Sequence, residues 1–427
     1  MRETRKNAAM AMATGTDVRD AYERLTPASR ALWARALRSL PGGNTRTTIF
    51  QDPYPLYVAR GEGCRVFDVD GVERIDFISN YTSLILGHCH PRVVDAVQRQ
   101  AGQLMSVAAP SELEIELAEG IRERLPSVER VRFANSGTEA TMLALRAARA
   151  FTGRTKIGVF AGGYHGSHDY AASIPADPLA VPGGPGIPAA VANSVVVAPF
   201  DDVEGTRAAL EPHLAELAAV IVEPVLGAGG VVPATGDFLR FLRDLTLEAG
   251  ALLVFDEVIS FRIGYHGAQG SLRVTPDLTT LGKIIGGGLP VGALGGRADV
   301  MSLFDPRSPE RIGHGGTFNA NPLTATAGLA TLAEMTPEHY DELEALAIEL
   351  KDKIDGQTAA SVSQVGSLFR VELADPNLVP DLHLALLNHG ILLTPRGMGC
   401  LSTPMTSVEI DAFVEATKRS LHDLGLA

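Results

Sequence analysis

The stretch VRFANSGTEATMLALRAARAF, residues 131–151, joins a short apolar run to a helical pattern through a tight polar turn. Residues 131–135 have the composition of a buried strand, and residues 140–151 place apolar side chains at helical spacing. A strand followed directly by a helix is the unit from which parallel sheets covered by helices are built. The stretch therefore predicts an α/β fold.

Four further apolar runs extend this pattern along the chain. Each is short and apolar throughout, which is typical of strands buried on both faces of a largely parallel sheet. The runs are KIGVF (156–160), SVVVAPF (194–200), AAVIVEPV (218–225) and ALLVFDEV (251–258). In such sheets ligands bind beyond the carboxyl ends of the strands, so the residues that follow each run form the candidate site.

The chain of 427 residues is long enough for more than one domain. We expect a large domain with a mostly parallel sheet and a smaller α+β C-terminal domain. The predicted segments are a disordered tail (1–16), an N-terminal segment (17–80), the large domain (81–321) and the small domain (322–427). Residues 64–77 are predicted to form two short strands joined by a turn at Asp70-Gly71. Residues 167–188, rich in Gly, Pro and Ala, are expected to form a mobile surface loop and a candidate lid.

The composition excludes several classes of function. Fifty acidic residues against 37 basic ones give a net charge of −13, so binding to the phosphate backbone of nucleic acids is not expected. There is no run of 18 apolar residues, so we expect no membrane span. The first residues lack the apolar core of a secretory signal. Because Cys64, Cys89 and Cys400 lie far apart, we expect no disulfide framework and a cytoplasmic protein.

The turn Ser136-Gly137-Thr138 can be interpreted in two ways. Glycine lets the backbone approach a ligand closely, and the first N–H groups of a helix have no internal partner. Together with the helix dipole, these features favour a phosphate site. An ordinary helix N-cap, in which Ser or Thr precedes Glu139, explains the same residues equally simply.

Asp256 and Lys283 each follow a strand-like run. A carboxylate at the end of a buried strand needs a cation or hydrogen-bond donors, and either a protonated ring nitrogen or an arginine such as Arg262 would serve for Asp256. A buried lysine without a partner loses its charge and becomes a nucleophile, whereas a lysine in a surface loop does not. Lys283 does not belong to a phosphate-binding Walker A motif, since Asp277 and Ile284 occupy the positions that would need Gly and Ser or Thr.

Tyr164 follows the run KIGVF and two glycines. An aromatic ring at this strand end can stack on a planar cofactor, although simple packing of the loop would also place a ring there. Four histidines lie in or near these segments, but they lack the helical spacing typical of zinc ligands, so we expect no metal. They are His88, His90, His165 and His168.

These candidates gain meaning from occurring together at successive strand ends. An anion cradle, a stacking ring, an acid for a ring nitrogen and an amine for a Schiff base are what pyridoxal 5'-phosphate requires. The motifs NSGTEA, GGYHG, VEPV and FDEV, followed by PDLTTLGKIIGGGLPVGA and GGTFNANPLT, resemble those of class III pyridoxal-phosphate-dependent aminotransferases. The closest branch is that of glutamate-1-semialdehyde aminomutases and β-phenylalanine-type aminotransferases.

The resemblance implies fold type I and a role for each motif residue. By this comparison Lys283 carries the cofactor covalently, and Asp256 pairs with the nitrogen of its ring. Val258 and Tyr164 would then pack on opposite faces of the ring.

The resemblance also implies a homodimer with active sites at the interface. Gly137 and Thr138 would hold the cofactor phosphate, which Thr317 of the neighbouring subunit would also reach. Glu223 would lie near the cofactor.

Departures from the family pattern concern the substrate. Aminotransferases of the ornithine and 4-aminobutyrate type have glutamate at the position of Ala228, and the aminomutase usually has asparagine there. The segments NTRTT with Arg46 and TPRG with Arg396 also differ from the aminomutase, and the second resembles the β-phenylalanine branch.

We expect Arg46 and Arg396 to bind a substrate carboxylate, although surface salt bridges would explain either residue. The predicted reaction is ping-pong amino transfer from an amine donor, best a β-amino acid, to a keto acid. Glutamate-1-semialdehyde 2,1-aminomutase is the alternative enzyme. A non-catalytic binding protein on the same fold is disfavoured by the presence of Lys283 and Asp256.

Overall fold

A computed structural model describes residues 18–175 and 182–426. The tail predicted at residues 1–16 therefore lies outside the described residues, as does the middle of the loop predicted at 167–188. The chain forms two compact units: one comprises the residues up to His90 together with those from Glu342 onward, and the other comprises Pro91–Asp341. The domain boundaries expected after residues 80 and 321 stay a prediction.

The strands and helices are numbered in chain order. The strands are β1 (Val58–Glu62), β2 (Arg65–Asp68), β3 (Glu73–Asp76), β4 (Arg130–Ala134), β5 (Lys156–Phe160), β6 (Val195–Ala198), β7 (Leu217–Val222), β8 (Val225–Leu226), β9 (Val232–Pro233), β10 (Leu252–Asp256), β11 (Leu278–Gly282), β12 (Gly292–Gly296), β13 (Ser361–Val365), β14 (Leu368–Glu372), β15 (Ile391–Leu392) and β16 (Met398–Cys400). The helices are α1 (residues 18–25), α2 (Pro27–Ala36), α3 (Ser79–Thr82), α4 (Pro91–Ala101), α5 (Glu112–Arg124), α6 (Gly137–Thr152), α7 (Asp169–Ala172), α8 (Ala189–Ala192), α9 (Val203–Leu210), α10 (Gly236–Ala249), α11 (Gly267–Leu272), α12 (Ala298–Met301), α13 (Pro322–Glu334), α14 (Pro337–Gln357), α15 (Val379–Asn388) and α16 (Ser407–Asp423).

The unit Pro91–Asp341 contains a seven-stranded sheet in the order β4-β12-β11-β10-β7-β5-β6. The pairs from β11 through β10, β7 and β5 to β6 are parallel, and only β12 runs antiparallel to both of its neighbours. Strands β7 and β10 are buried at every residue. Alternate residues of these strands belong to two separate apolar clusters. One cluster includes side chains of α6 and the other includes side chains of α10, so both faces of the sheet are covered. The α/β fold predicted from the apolar runs is confirmed.

Strand β12 has the sequence GALGG and was not predicted. Glycine weakens a strand because it adds no side-chain packing, so sequence patterns do not indicate one here. The structure explains the glycine at position 292, since a Cβ atom there would overlap the carbonyl group of Ser136. Close packing of the sheet against the turn before α6 therefore selects a residue that intrinsic propensity disfavours.

The other unit holds two small sheets, β1-β2-β3-β15 and β13-β14-β16. Strands β2 and β3 form an antiparallel hairpin, and Gly71 in its turn has a φ of 85°, which confirms the turn predicted at Asp70-Gly71. Strand β15 pairs in parallel with β3, so segments more than 300 residues apart in sequence share one sheet. In residues 18–175 and 182–426, no helix is both long and apolar enough to cross a membrane.

Candidate active site

Lys283 lies directly after β11, at the start of a short 3₁₀ turn (Lys283–Gly286). Its φ is 52°, and a non-glycine residue in this left-handed region is costly unless the surrounding structure holds it there, as happens at functional sites. Burial lowers the pKa of the Lys283 amine, although the carboxylates of Asp256 and Glu223 act in the opposite direction. A lowered pKa is the direction that favours a nucleophilic amine.

Asp256 ends β10 and is only 4% exposed. Its carboxylate accepts hydrogen bonds from His165 Nδ1 at 2.7 Å and from Thr280 Oγ1 at 2.9 Å. The backbone N–H of Val258 adds a third at 3.2 Å. These bonds fix one orientation of the carboxylate at the end of the sheet.

His165 is a functional candidate that sequence reasoning missed, because it was considered only as a metal ligand. Burial alone would lower the pKa of His165, but the hydrogen bond and negative charge of Asp256 outweigh burial and raise the pKa. The two side chains therefore form a buried, directly hydrogen-bonded pair. The available signal was position, since His165 and Asp256 both follow strands of the same parallel sheet.

Glu223 comes directly after β7, which lies between β5 and β10. Its buried carboxylate accepts the backbone N–H groups of Tyr164 at 2.8 Å and Gly227 at 3.2 Å. The backbone of Tyr164 is thereby fixed, while the residue as a whole stays 50% exposed. Burial raises the pKa of Glu223 to about 7, with Asp256 adding to the rise and His165 opposing it.

This raised pKa predicts a pH-dependent stability of the cofactor-free protein. Unfolded chains have a glutamate pKa of about 4.3, so the folded state holds the Glu223 proton more tightly than the unfolded state does. The resulting stabilisation is complete below about pH 4 and is lost as the pH rises to about 7. The unfolding free energy of the wild-type protein should therefore fall between pH 5 and pH 8. In Glu223→Gln this fall should be smaller by roughly 1–3 kcal/mol, measured by urea denaturation.

The exposed Glu204 of α9 provides the control for this measurement. Glu204→Gln should leave the pH dependence of the wild-type protein unchanged. Parallel pH profiles for wild type and Glu223→Gln would contradict the assignment of a raised pKa to Glu223.

The turn before α6 contains the N-cap that the simpler interpretation predicted, since Ser136 Oγ accepts the backbone N–H of Glu139 at 3.1 Å. The same turn is also closely packed. Gly166 has a φ of 100°, and a Cβ atom there would overlap the side chain of Thr138. A Cβ atom at Gly137 would lie 3.1 Å from the side chain of Val258. Val258 therefore packs directly against the Gly137 backbone, and the N-terminus of α6 can serve both as a cap and as an anion cradle.

The structure brings together six of the eight residues proposed for the cofactor, as the contacts above show. They are Gly137, Thr138, Tyr164, Glu223, Asp256 and Val258. Lys283 joins them through its neighbour Gly282, where a Cβ atom would lie 3.4 Å from Val258 and 3.7 Å from Gly137. Thr317 lies elsewhere, exposed on the lining of a cavity of about 980 Å³.

Arg46 and Arg396 belong to the unit that contains the chain ends, and both are exposed. Burial raises the pKa of Tyr81, and the charges of both arginines act on the same hydroxyl in the lowering direction. Two arginines distant in sequence therefore lie within electrostatic range of one tyrosine. Tyr81 lies in α3, a left-handed turn in which four consecutive residues have φ between 46° and 74°, and its hydroxyl donates to the carbonyl oxygen of Thr48.

The chemistry of the cluster around Asp256 fits pyridoxal 5'-phosphate. A helix N-terminus with glycine suits a phosphate, and a buried acid suits a protonated ring nitrogen. A lysine whose pKa is lowered suits covalent attachment, while Val258 and Tyr164 provide apolar surface for a ring. In the part of the chain that the structure describes, no group of His, Cys, Asp and Glu residues could hold a metal ion.

Comparison with known proteins gives matches over most of the chain. The family model of class-III aminotransferases matches residues 49–421. Glutamate-1-semialdehyde 2,1-aminomutase 2 of Anoxybacillus flavithermus is 42% identical, over 93% of this chain and 97% of its own. The β-phenylalanine transaminase of Variovorax paradoxus is also 42% identical, over 93% and 94% of the two chains.

Solved structures show the same similarity. An ω-transaminase from Sphaerobacter thermophilus has a TM-score of 0.90 and 46% identity, covering 93% of this chain and 98% of its own. A transaminase solved with PLP bound has the same TM-score and coverage at 40% identity.

Proposed function

The chain belongs to the class-III aminotransferases, and on this basis we propose that it transfers an amino group from a β-amino acid to a keto acid by a ping-pong mechanism. It is a pyridoxal-phosphate-dependent enzyme of fold type I. The observation that supports this function best is the cluster of Lys283 with the buried residues Asp256 and His165 at the ends of parallel strands. A non-catalytic binding protein would have no need to keep a lysine in a strained backbone conformation beside buried carboxylates.

Each residue of the cluster has a defined task in this proposal. The bound cofactor supplies an aldehyde that exchanges amines and a ring that withdraws electrons from the amine-bearing carbon. Lys283 Nζ removes the proton from that carbon of the donor and delivers it again later, as general base and acid. Asp256 holds a proton at the ring nitrogen, and the hydrogen bond with His165 Nδ1 fixes the Asp256 carboxyl group in place.

The remaining residues bind and orient. Gly137, Thr138 and the N-terminus of α6 hold the phosphate, while Val258 and Tyr164 flank the ring. Glu223 holds the backbone of Tyr164 in place.

Thr317 completes the phosphate site of a neighbouring subunit in a homodimer. In support of a dimer, large apolar side chains are exposed in and around the cavity that Thr317 lines, and such surface is usually covered by a partner. They are Met105 (60% exposed), Ile115 (54%) and Phe318 (62%).

The expected donor follows from the surroundings of Arg46. A guanidinium binds a carboxylate in a bidentate manner, and Arg46 lines a cavity of about 500 Å³ that has room for a small substituted acid. Most of the lining is apolar, which suits an aromatic or aliphatic substituent. Its apolar members include Ile49, Leu56, Val58, Ile78 and Leu392.

The two arginines provide the test of the substrate class. Arg46→Ala and Arg396→Ala should each raise KM for carboxylated donors about 10- to 100-fold, the loss of one charged hydrogen-bonded contact, and leave simple amines unaffected. The measurement compares β-phenylalanine with 1-phenylethylamine at saturating keto acid.

Arg60 is a surface arginine in the same unit that pairs with Glu62. Arg60→Ala should leave KM unchanged for both β-phenylalanine and 1-phenylethylamine. Equal effects of Arg46→Ala and Arg396→Ala on both donors would reject the carboxylate assignment.

The aminomutase is the second candidate, because a relative with this activity in its name is 42% identical. Ala228 is exposed and stands where the resemblance leads us to expect asparagine in the aminomutase. This difference favours transfer of the amino group between two molecules over its exchange within one molecule. Incubation with glutamate-1-semialdehyde and no keto acid separates the two activities. Repeated turnover identifies the mutase, whereas a single turnover supports the transaminase.

A further inference from the structure

Thr317 can bind a phosphate well only if the loop that carries it is held in one conformation. This loop lies between α12 and α13, and the residues Thr317 and Phe318 at its tip are exposed. Ordering a free residue costs about 1–2 kcal/mol, so a loop that contributes a ligand binds best when it is already held in place. One end is fixed by Asn321, whose Oδ1 caps α13 by accepting the N–H of Leu323 at 3.0 Å.

The other end is fixed by Arg132 of β4. Its Nε donates to His314 Nδ1 at 3.0 Å, and its guanidinium also reaches the His314 carbonyl oxygen at 3.5 Å. Burial lowers the pKa of His314, and the charge of Arg132 lowers it further, a direction that agrees with Nδ1 accepting from Arg132.

The middle of the loop is fixed by Asn319. Its Oδ1 accepts a hydrogen bond from Asn135 Nδ2 at 2.8 Å, and its amide group lies 3.2 Å from His314 Nε2. The side chain also packs directly on Gly316, where a Cβ atom would overlap it. Asn319 therefore contacts the residue immediately before Thr317.

Asn135 is itself held at the turn before α6. Its backbone N–H donates to Glu139 Oε2 at 2.9 Å, and Ser136, Gly137 and Thr138 follow it in sequence. Hydrogen bonds thus join Arg132 to His314, and Asn319 through Asn135 to the first turn of α6, while the side chains of His314 and Asn319 are in contact.

We propose that Asn135 and Asn319 are positioning residues that hold Thr317 in the geometry needed to bind the cofactor phosphate. This inference rests on the proposed role of Thr317 in phosphate binding. The same network fastens both phosphate-directed parts of the chain, the α6 N-terminus and the Thr317 loop. Neither asparagine touches the phosphate in this account.

The test compares cofactors with and without a phosphate. The full-length enzyme, freed of cofactor, is titrated with pyridoxal 5'-phosphate and with pyridoxal. Asn319→Ala and Asn135→Ala should each weaken binding of pyridoxal phosphate by about tenfold, the size expected from one lost hydrogen bond. Both variants should leave the affinity for pyridoxal within a factor of two of the wild-type value. A general structural defect would weaken both ligands equally, and that result would overturn the proposal.

Asn388→Ala is the matched control, because it removes an asparagine side chain outside the Thr317 loop that donates to the carbonyl oxygen of Val18 at 2.9 Å. It should lower the thermal midpoint without changing the ratio of the two affinities. If Asn319→Ala does not fold, Gly316→Ala tests the same contact, since its methyl group displaces the Asn319 amide.

Thr317→Ala distinguishes a wrong role for Thr317 from a wrong role for the two asparagines. If it leaves the affinity ratio unchanged, the proposed role of Thr317 is wrong. If it lowers the ratio while Asn319→Ala and Asn135→Ala do not, Thr317 binds phosphate and the positioning inference is wrong. If Thr317→Ala lowers the ratio and adding Asn319→Ala lowers it no further, the two residues act as one unit and the inference is supported.

Discussion

Lys283→Ala should lower kcat/KM for a β-amino acid donor by about 10³-fold or more. The variant loses both the covalent attachment point and the group that moves the proton on the amine-bearing carbon, and positioned acid–base groups alone account for about 10²–10⁴ in rate. The side chain lies at the end of β11, so its removal leaves the sheet intact and the thermal midpoint should change little. Steady-state kinetics with β-phenylalanine and a keto acid measure the loss.

Lys156→Ala is the control, because this lysine also lies at a strand terminus but only donates from the surface to the carbonyl oxygen of Asn193. It should retain wild-type kinetics. A decrease of less than tenfold in Lys283→Ala would show that the chemistry does not depend on this amine.

Asp256→Asn should lower kcat by about 10²–10³-fold, the size typical of removing one preorganised electrostatic group. The amide keeps the shape of the side chain and the hydrogen bond from Thr280, but it carries no charge to hold a proton on the ring nitrogen. It also leaves His165 without its anionic partner. The change should appear in kcat for every donor, with or without a carboxylate, because the group acts on the ring and not on the substrate.

The neighbouring Glu257 provides a matched comparison. This buried carboxylate accepts hydrogen bonds from Ser260, from the backbone N–H of Ala268 and from Gln269, and so has a structural task. Glu257→Gln should lower the thermal midpoint but keep turnover per folded active site. If Asp256→Asn retained more than a third of wild-type kcat, or if Glu257→Gln lost as much turnover, the assignment of Asp256 would be wrong.

The parts of the fold that were predictable are those governed by local patterns. The apolar runs at β5, β7 and β10 indicated buried strands because both of their faces are covered, and the Asp70-Gly71 turn followed from the residues that such turns require. Strand β12 was missed because contact with Ser136, and not propensity, selects its glycine. The pairing of β3 with β15 was missed because the sequence carries no local signal for partners that are so distant.

The candidate site shows the same division. Asp256 and Lys283 were singled out because each follows a buried run, where a polar residue is costly and calls for an explanation. Glu223 was expected only from the family resemblance. The bond between His165 and Asp256 depends on the strand order β10-β7-β5, which the sequence does not give. The network of Arg132, His314, Asn319 and Asn135 joins two segments that are about 180 residues apart in sequence, and none of the four stands out by type or spacing.

Borohydride reduction of the pyridoxal-phosphate-loaded enzyme, followed by peptide mass mapping, tests the central claim most directly. The sequence contains six lysines, so the experiment has five internal alternatives: Lys6, Lys156, Lys351, Lys353 and Lys418. We predict a single stable pyridoxyl adduct on the peptide that contains Lys283. An unmodified Lys283, or an adduct on any of the other five, would contradict the account.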